Sequence, residues 1–198
     1  LLSEGGLGGV LSVRAHVGQY LPEWRPGDYR KHVTARAELG GGVILELIHE
    51  FDYLLWLLGA VDAVSCVSGH VSRLDMNAED VAVCHLRFAS GALGSVHLDC
   101  VDRIASRGCR IICEESTIIW DSLARTVEWL EPGTTRMRRF SYSERQRNDR
   151  LVAEMRHLLM CVEGVERPRV DLDAARRSLR LALAAKRSAD RGGAVEEL

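Results

Sequence analysis

Seven short runs rich in β-branched and other apolar residues follow one another between residues 61 and 140, and they limit the possible folds more than any other feature. Glycine, asparagine and proline punctuate the gaps between them, as expected of strands joined by short turns. The runs cover residues 61–72, 80–89, 92–101, 108–115, 117–121, 126–130 and 135–140. The alternating segment 8–19 predicts one further strand. Together these runs predict a large mixed sheet that is mainly antiparallel.

Apolar residues at helical spacing predict three helices packed against this sheet. They are expected after the three glycines at 40–42, at 147–163 and at 172–190. The first should end near Gly59, Pro168 separates the other two, and Asp171 is the expected N-cap of the last. Residues 1–7 are expected to be the end of another helix. The pattern predicts a single α+β domain over residues 1–198, with helices on one face of the sheet.

The other face of such a sheet needs a cover. Its outward candidates mix apolar and polar side chains, and they are Val83, His85, Arg87, Val96 and Leu98. A face of this kind predicts a homodimer or higher homo-oligomer formed sheet to sheet.

Composition excludes several classes of partner. The 26 Lys and Arg residues nearly balance the 28 Asp and Glu residues, so no large field attracts nucleic acid or an anionic membrane. No apolar run approaches the roughly 20 residues of a membrane span, and no secretory leader opens the chain, so we expect a cytoplasmic protein. The six cysteines are spread through apolar runs, which favours buried free thiols over a disulfide framework or a zinc site.

The helix predicted after the three glycines carries four polar or ionisable side chains along one side, namely Glu46, His49, Glu50 and Tyr53. The glycines would let backbone approach a ligand closely, and an imidazole between carboxylates can move a proton to or from a hydroxyl. The carboxylates are expected to hold the pKa of His49 near or above its free value. The alternative is that His49 only forms a hydrogen bond across a helix–sheet junction.

Three segments carry a resemblance to a known family. They are GQYLPEWRP at 18–26 with DYR at 28–30, the triple glycine followed by ELIHEFDY at 46–53, and the closing stretch from Glu154 and His157 to Ser188. The chain resembles the glucose-fructose oxidoreductase/inositol dehydrogenase (Gfo/Idh/MocA) family, and more narrowly its members that act on sugars for bacterial surface polysaccharides. This implies a glyceraldehyde-3-phosphate-dehydrogenase-like C-terminal domain. It also implies an upstream Rossmann domain with a glycine-rich loop and a Glu-Lys-Pro motif.

The resemblance implies NAD- or NADP-dependent oxidation of a sugar, sugar derivative or cyclitol, with His49 as the general acid/base and Glu46 as its carboxylate partner. It places six more residues around the substrate: Tyr20, Trp24, Tyr29, Arg30, His32 and Asp52. One departure concerns spacing, because many members have an Asp four residues before the His, whereas residue 45 is Leu and Glu46 lies three before His49.

The nucleotide is expected to bind mainly to the upstream domain. The sequence Gly6-Leu7-Gly8 has Leu11 where a third glycine would complete a dinucleotide-binding loop. The chain also begins at Leu1 without an initiator Met, which suggests a fragment of a longer protein. We therefore expect this chain to be inactive by itself.

Two alternatives remain open. Glu46-x-x-His49 and Glu154-x-x-His157 repeat a pattern found in di-iron helical bundles, although the residues between them are predicted to be strands. The second alternative is a non-catalytic dimerisation or ligand-binding module of the same fold. The basic run formed by Arg136, Arg138, Arg139, Arg145, Arg147 and Arg150 is interpreted as a solvated edge and receives no role.

Overall fold

The structure is a computed structural model, and it describes residue 2 and residues 6–143 and 148–198 of the 198-residue chain. Within these residues nine strands form one sheet. The strands are β1 (Val10–Gly18), β2 (Val61–Gly69), β3 (Val81–Phe88), β4 (Leu93–Asp99), β5 (Ser106–Cys113), β6 (Thr117–Asp121), β7 (Thr126–Leu130), β8 (Met137–Ser141) and β9 (Glu196–Glu197). The α-helices are α1 (Val43–Glu46), α2 (His49–Leu58), α3 (Asp149–Val162) and α4 (Leu172–Asp190).

The first strand lies at the centre of the sheet. The order across the sheet is β8-β7-β6-β5-β1-β4-β3-β2-β9. β1 pairs with β4 in parallel, and every other neighbouring pair is antiparallel. A parallel pair needs a crossover, and the segment that contains α1 and α2 lies between β1 and the later strands. The predicted α+β class with a mixed, mainly antiparallel sheet is therefore confirmed.

One face of the sheet packs against α2 and α4. Alternate residues of β3 point to this side and are buried, namely Ala82, Cys84, Leu86 and Phe88. From the helices, Phe51 and Leu54 of α2 are fully buried, and α4 contributes the small residues Ala182, Ala184 and Ala185. Small side chains let a helix lie close to a sheet, so α4 covers β2 along much of its length.

The opposite face is open to solvent, and its composition corrects one detail of the prediction. Val83, His85 and Arg87 do alternate with the buried residues of β3 and lie outward. Val96 and Leu98, however, are completely buried against the helices. The prediction was wrong by one residue on β4, where Leu93 and His97 are the outward residues. An offset of one residue exchanges the two faces of a strand, and apolar content alone did not settle it.

Several boundaries differ from the prediction. The helix expected after the glycines is divided, because Leu47 leaves helical geometry with φ −104° and ψ 26° between α1 and α2. The second predicted helix runs from Asp149 to Val162 in the structure, and its predicted start at Arg147 lies outside the described residues. The predicted helix end at 1–7 also falls largely on residues outside the description. Buried thiols are confirmed at five of six cysteines, and Cys161 is half-buried.

Candidate active site

The break between α1 and α2 places His49 at the first position of α2, at the edge of a cavity of about 650 Å³. Its side chain is 44% exposed, so the imidazole is open to the cavity on one side and packed on the other. The cavity is lined by Val17, Gly18, Gln19, Trp24, Arg25, Glu46, Leu47, His49, Ala105, Ser106, Arg107, Ser122, Leu123, Arg125, Tyr142 and Arg150. Two predicted catalytic residues, Glu46 and His49, therefore lie on the same cavity wall.

A buried ion pair lies behind the imidazole. Glu50 is completely buried, and its Oε1 accepts a hydrogen bond from Nε of Arg107 at 2.7 Å. The same Oε1 lies 3.5 Å from Nε2 of His49. Burial raises the pKa of Glu50, and the Arg107 guanidinium opposes that rise. Arg107 thus links the cavity wall on β5 to the first turn of α2.

The pKa of His49 differs from the sequence-based prediction. Burial, together with the charge of Arg107, lowers the pKa of His49 to about 4, and the carboxylate of Asp52 opposes this shift. The prediction of a pKa near or above the free value is wrong because it counted the carboxylates and not the cation or the desolvation. A neutral imidazole at neutral pH is a proton acceptor.

The polar helix side predicted from spacing is only partly open. Glu46 and His49 line the cavity, whereas Glu50 is buried and the Tyr53 ring packs edge-on against Trp120 at a centroid distance of 5.3 Å. Oε2 of Glu50 and the hydroxyl of Tyr53 have no hydrogen-bond partner among the described side chains and backbone. The predicted helical spacing therefore places Glu46 and His49 on the cavity, whereas Glu50 and Tyr53 face the sheet.

The loop after β1 forms a wall of the cavity through Trp24 and Arg25. Nε1 of Trp24 donates to the carbonyl oxygen of Gln19 at 2.8 Å, which fixes the indole beside the opening. Arg25 forms an ion pair with Glu46, with Nη2 3.1 Å from Oε1. Because these contacts join the loop to α1, Trp24 lies on the same cavity as His49 and Glu46.

The remaining predicted substrate residues do not line this cavity. Tyr20 stacks under the Arg103 guanidinium at 4.1 Å, and the Tyr29 hydroxyl accepts from the backbone N–H of Asp75 at 2.9 Å. Arg30 donates two hydrogen bonds to Asp28, at 2.7 and 2.9 Å, which lowers the pKa of that carboxyl. His32 precedes a 3-10 turn, and Asp52 accepts from the Ser178 hydroxyl at 2.6 Å.

Sequence reasoning missed the cavity's arginines. Arg107 stands one position before the predicted strand 108–115, so it was not considered as a side chain on the buried face. In the structure it pairs across β5 and β1 with Val17, which points toward α2. Arg150 was assigned to a solvated edge, and the structure places it on the cavity instead, while Arg145 and Arg147 lie outside the described residues.

The three glycines act within the fold rather than as an evident ligand cradle. A Cβ on Gly41 would lie 2.1 Å from the carbonyl oxygen of Val33 and 2.7 Å from that of Arg36. One on Gly42 would lie 2.3 Å from the Glu79 carboxylate, at a φ of 101°. Gly40, at φ 81°, has open space around it. Gly41 and Gly42 therefore let the start of α1 pack closely against the backbone of residues 33–36 and the side chain of Glu79.

Gly41→Ala is therefore expected to destabilise the protein by about 3 kcal/mol or more, since the new methyl group overlaps backbone that cannot move away. Gly40→Ala is the matched control and should cost only about 1–2 kcal/mol, the price of a left-handed conformation in a residue with a Cβ. Urea denaturation of both variants measures the difference. Equal losses would contradict the assigned role of Gly41.

A comparison of the sequence with protein families adds to this geometry. The family model for the GFO/IDH/MocA C-terminal domain matches residues 1–119. The chain belongs to the GFO/IDH/MocA family. The match covers the loop after β1, the three glycines, α2 and the strands as far as β6, and so includes most of the cavity wall. The search of curated proteins found no match to this chain.

Solved structures share this GFO/IDH/MocA fold. The WlbA dehydrogenase from Bordetella pertussis, in complex with NADH and UDP-GlcNAcA, is 23% identical in sequence, with a TM-score of 0.76. The match covers 100% of this chain and 59% of the WlbA chain. Levoglucosan dehydrogenase, in complex with NADH and levoglucosan, is 17% identical with a TM-score of 0.83, covering 100% and 60%. The UDP-N-acetylglucosamine 3-dehydrogenase GnnA from Acidithiobacillus ferrooxidans is 22% identical with a TM-score of 0.75, covering 96% and 57%.

The chain thus spans less than two thirds of the length of these GFO/IDH/MocA structures. At such identities the likeness concerns the fold. Among the described residues no helix is long and apolar enough to cross a membrane.

The two Glu-x-x-His motifs, at Glu154–His157 and at Glu46–His49, do not form a shared metal site among the described residues of this GFO/IDH/MocA domain. Nδ1 of His157 lies 2.5 Å from Oε2 of Glu166, and its Nε2 accepts from the backbone N–H of Arg169 at 3.3 Å. Within residues 6–143 and 148–198, no group of three His, Cys, Asp or Glu side chains is placed to hold a metal ion. Glu46 and His49 instead lie on the cavity in the other half of the fold.

Proposed function

We propose that this chain is the substrate-binding half of an NAD(P)-dependent oxidoreductase that acts on a hydroxyl group of a sugar, sugar derivative or cyclitol. The observation that carries the proposal is the neutral imidazole of His49, half-exposed at a cavity that is large enough for a sugar and is also lined by Glu46. A proton acceptor open to a polar cavity fits removal of a hydroxyl proton.

The nucleotide would be held by a domain upstream of these residues. In this chain Gly8 and Gly9 lead into β1, and the backbone N–H of Gly9 donates to the Glu114 carboxylate at 2.8 Å. A dinucleotide loop instead joins a strand to a helix and presents its N–H groups to phosphate. The residues present therefore do not fit the pyrophosphate of NAD(P), and a hydride acceptor bound by the upstream domain would supply the redox chemistry.

The chain's own residues would hold the ring and move its proton. During oxidation the hydroxyl proton passes to the unprotonated ring nitrogen of His49, and during reduction the imidazolium returns it. Glu46, held by Arg25 at 3.1 Å, can accept a hydrogen bond from a neighbouring hydroxyl. The Trp24 ring offers an apolar face beside it. We also propose that Tyr20, Tyr29, Arg30, His32 and Asp52 contribute to the substrate side once the upstream domain is in place.

The experiment is a comparison of two proteins, this chain alone and the gene product extended upstream through its nucleotide-binding domain. Sugar-dependent reduction of NAD or NADP is expected only for the extended protein. Absence of turnover with every sugar, sugar derivative and cyclitol offered to the extended protein would reject the catalytic proposal and favour the non-catalytic module.

We further propose that the open sheet face joins two copies of the chain. It presents Leu93, 60% exposed, on a strand near the middle of the sheet, opposite Arg87 of β3. Farther along the face, Val83 of β3 lies opposite Val67 of β2, which is 64% exposed. Exposed apolar residues on a broad sheet face are typical of a subunit interface.

Leu93→Asp is expected to convert the oligomer to a monomer, because it would bury two carboxylates across a two-fold interface. Val165→Asp is the matched control, since Val165 is 62% exposed but lies off the sheet, between α3 and α4. Sedimentation velocity distinguishes the two. A wild-type chain that sediments as a monomer, or an oligomer that survives in the Leu93 variant, would contradict the assignment.

A further inference from the structure

Four arginine side chains reach the cavity of His49 from four separate parts of the fold. Arg25 comes from the loop after β1, Arg107 from β5, Arg125 from the turn between β6 and β7, and Arg150 from the first turn of α3. Against them, Glu46 is the one carboxylate among the cavity-lining residues that the structure describes. The cavity is therefore cationic although the whole chain carries a net charge of −2.

The arginines differ in how their charge is compensated. Arg25 is paired with Glu46, and Arg107 is paired with the buried Glu50. The side chain of Arg125 makes no ion pair or hydrogen bond with any residue in 6–143 or 148–198. A cation with no partner among the described residues, on the wall of a cavity, is available to an anionic ligand.

The backbone at Arg125 adds an independent observation. Arg125 has φ 56°, and among the described residues it is the only non-glycine residue with a positive φ. Glycine or asparagine adopts this conformation with less strain than arginine does. Strained backbone is typical of positions where the side chain serves a site rather than the fold.

We propose that this cavity takes an anionic sugar, and that Arg125 binds its phosphate or carboxylate group while the ring lies against His49. The position of the ring rests on the proposed function, whereas the anion site rests on the arginines alone. Tyr142 lies on the same wall, so an aromatic ring borders the site on that side. A guanidinium forms paired hydrogen bonds with either kind of oxyanion, so phosphate and carboxylate share the same recognition chemistry.

Isothermal titration calorimetry of this chain tests the proposal with four probes: glucose, glucuronate, glucose 1-phosphate and UDP-glucose. At least one anionic probe is expected to bind about ten-fold or more tightly than glucose, as a charge-assisted hydrogen bond implies. Glucuronate as the tightest ligand would identify a carboxylate site, and either phosphorylated probe would identify a phosphate site. Binding of glucose as tight as that of all three anions, or no binding at all, would overturn the proposal.

Arg125→Gly is the decisive variant, since glycine relieves the backbone strain while removing the cation. Its melting temperature should be equal to or above that of the wild type, whereas its dissociation constant for the preferred anion should rise by about 10- to 100-fold. Arg125→Lys should lose less affinity, because it keeps the charge. Arg73→Gly, at an exposed loop arginine that does not line the cavity, is the control and should bind as the wild type does.

Unchanged anion affinity in Arg125→Gly would refute the role of this residue. The binding assay contains no nucleotide, so it is separate from the test of the oxidoreductase. Anion binding without turnover in the extended protein would reject the proposed function but support the anion site. Turnover of neutral sugars alone would support the proposed function but reject the anion site.

Discussion

His49→Gln is expected to lower kcat/KM for sugar oxidation by about 10²- to 10⁴-fold in the protein extended through the proposed upstream nucleotide-binding domain, the usual contribution of a general base. Glutamine preserves much of the shape and one hydrogen-bonding amide, but it cannot take up a proton at accessible pH. Nucleotide affinity should stay unchanged, because the proposed dinucleotide site lies in the other domain. Steady-state kinetics and nucleotide titration of the purified variant measure both quantities.

The pH profile separates a base from a residue that only positions substrate. Since the pKa of His49 is lowered to about 4, the rate of oxidation should be lost as pH falls through that value, well below the free value of histidine. The glutamine variant should lack this limb. His70→Gln, at a half-exposed histidine that does not line the cavity, is the control and should leave rate and profile unchanged. A wild-type limb near the free value of histidine would contradict the proposed environment of His49.

Most strands of the sheet could be predicted because each is indicated by a short local stretch of sequence. Most strands of the series from β2 to β8 are short runs of apolar residues bounded by turn residues, and consecutive strands lie side by side within β2–β4 and within β5–β8. The position of β1 between β5 and β4 was not predictable in this way, since it depends on pairing with strands some 80–100 residues later in the chain. The face of β4 was missed for a related reason, because Val96 and Leu98 lie in a run with apolar residues of both parities.

The candidate site was predicted only where it is formed by one segment. Glu46 and His49 lie within one turn of each other, and spacing alone placed them together. Arg107 and Arg125 reach the same cavity from β5 and from the β6–β7 turn, so their contribution became visible only with the strand order. The error in the pKa of His49 follows directly, because the cation that lowers it is distant in sequence.

Arg107→Met should be the most destabilising change at this site, because it leaves the Glu50 carboxylate buried without its cation. Removing one partner of a buried ion pair costs about 3–5 kcal/mol. Methionine replaces the unbranched part of the arginine side chain as far as Nε, so the apolar packing of that part is kept and most of the loss should come from the missing charge. Urea denaturation near neutral pH measures it, and the double variant Glu50→Gln/Arg107→Met should recover much of the stability because no charge is then buried. A single variant no less stable than the double variant would contradict the coupling.

The same variant has a defined dependence on pH. Burial already raises the pKa of Glu50 above its unfolded value, and loss of the Arg107 charge should raise it further. Between the unfolded and the folded pKa, the native state of the variant holds a proton that the unfolded state has released, so its stability should fall as pH rises. The stability deficit relative to the wild type should therefore be smaller at about pH 5 than at about pH 8, and the double variant should not show this trend.

Since Arg107 also lowers the pKa of His49, that pKa should rise in the single variant, which the histidine ring signals in an NMR titration would detect. A pH-independent deficit together with an unshifted His49 titration would mean that Arg107 acts on neither group through its charge.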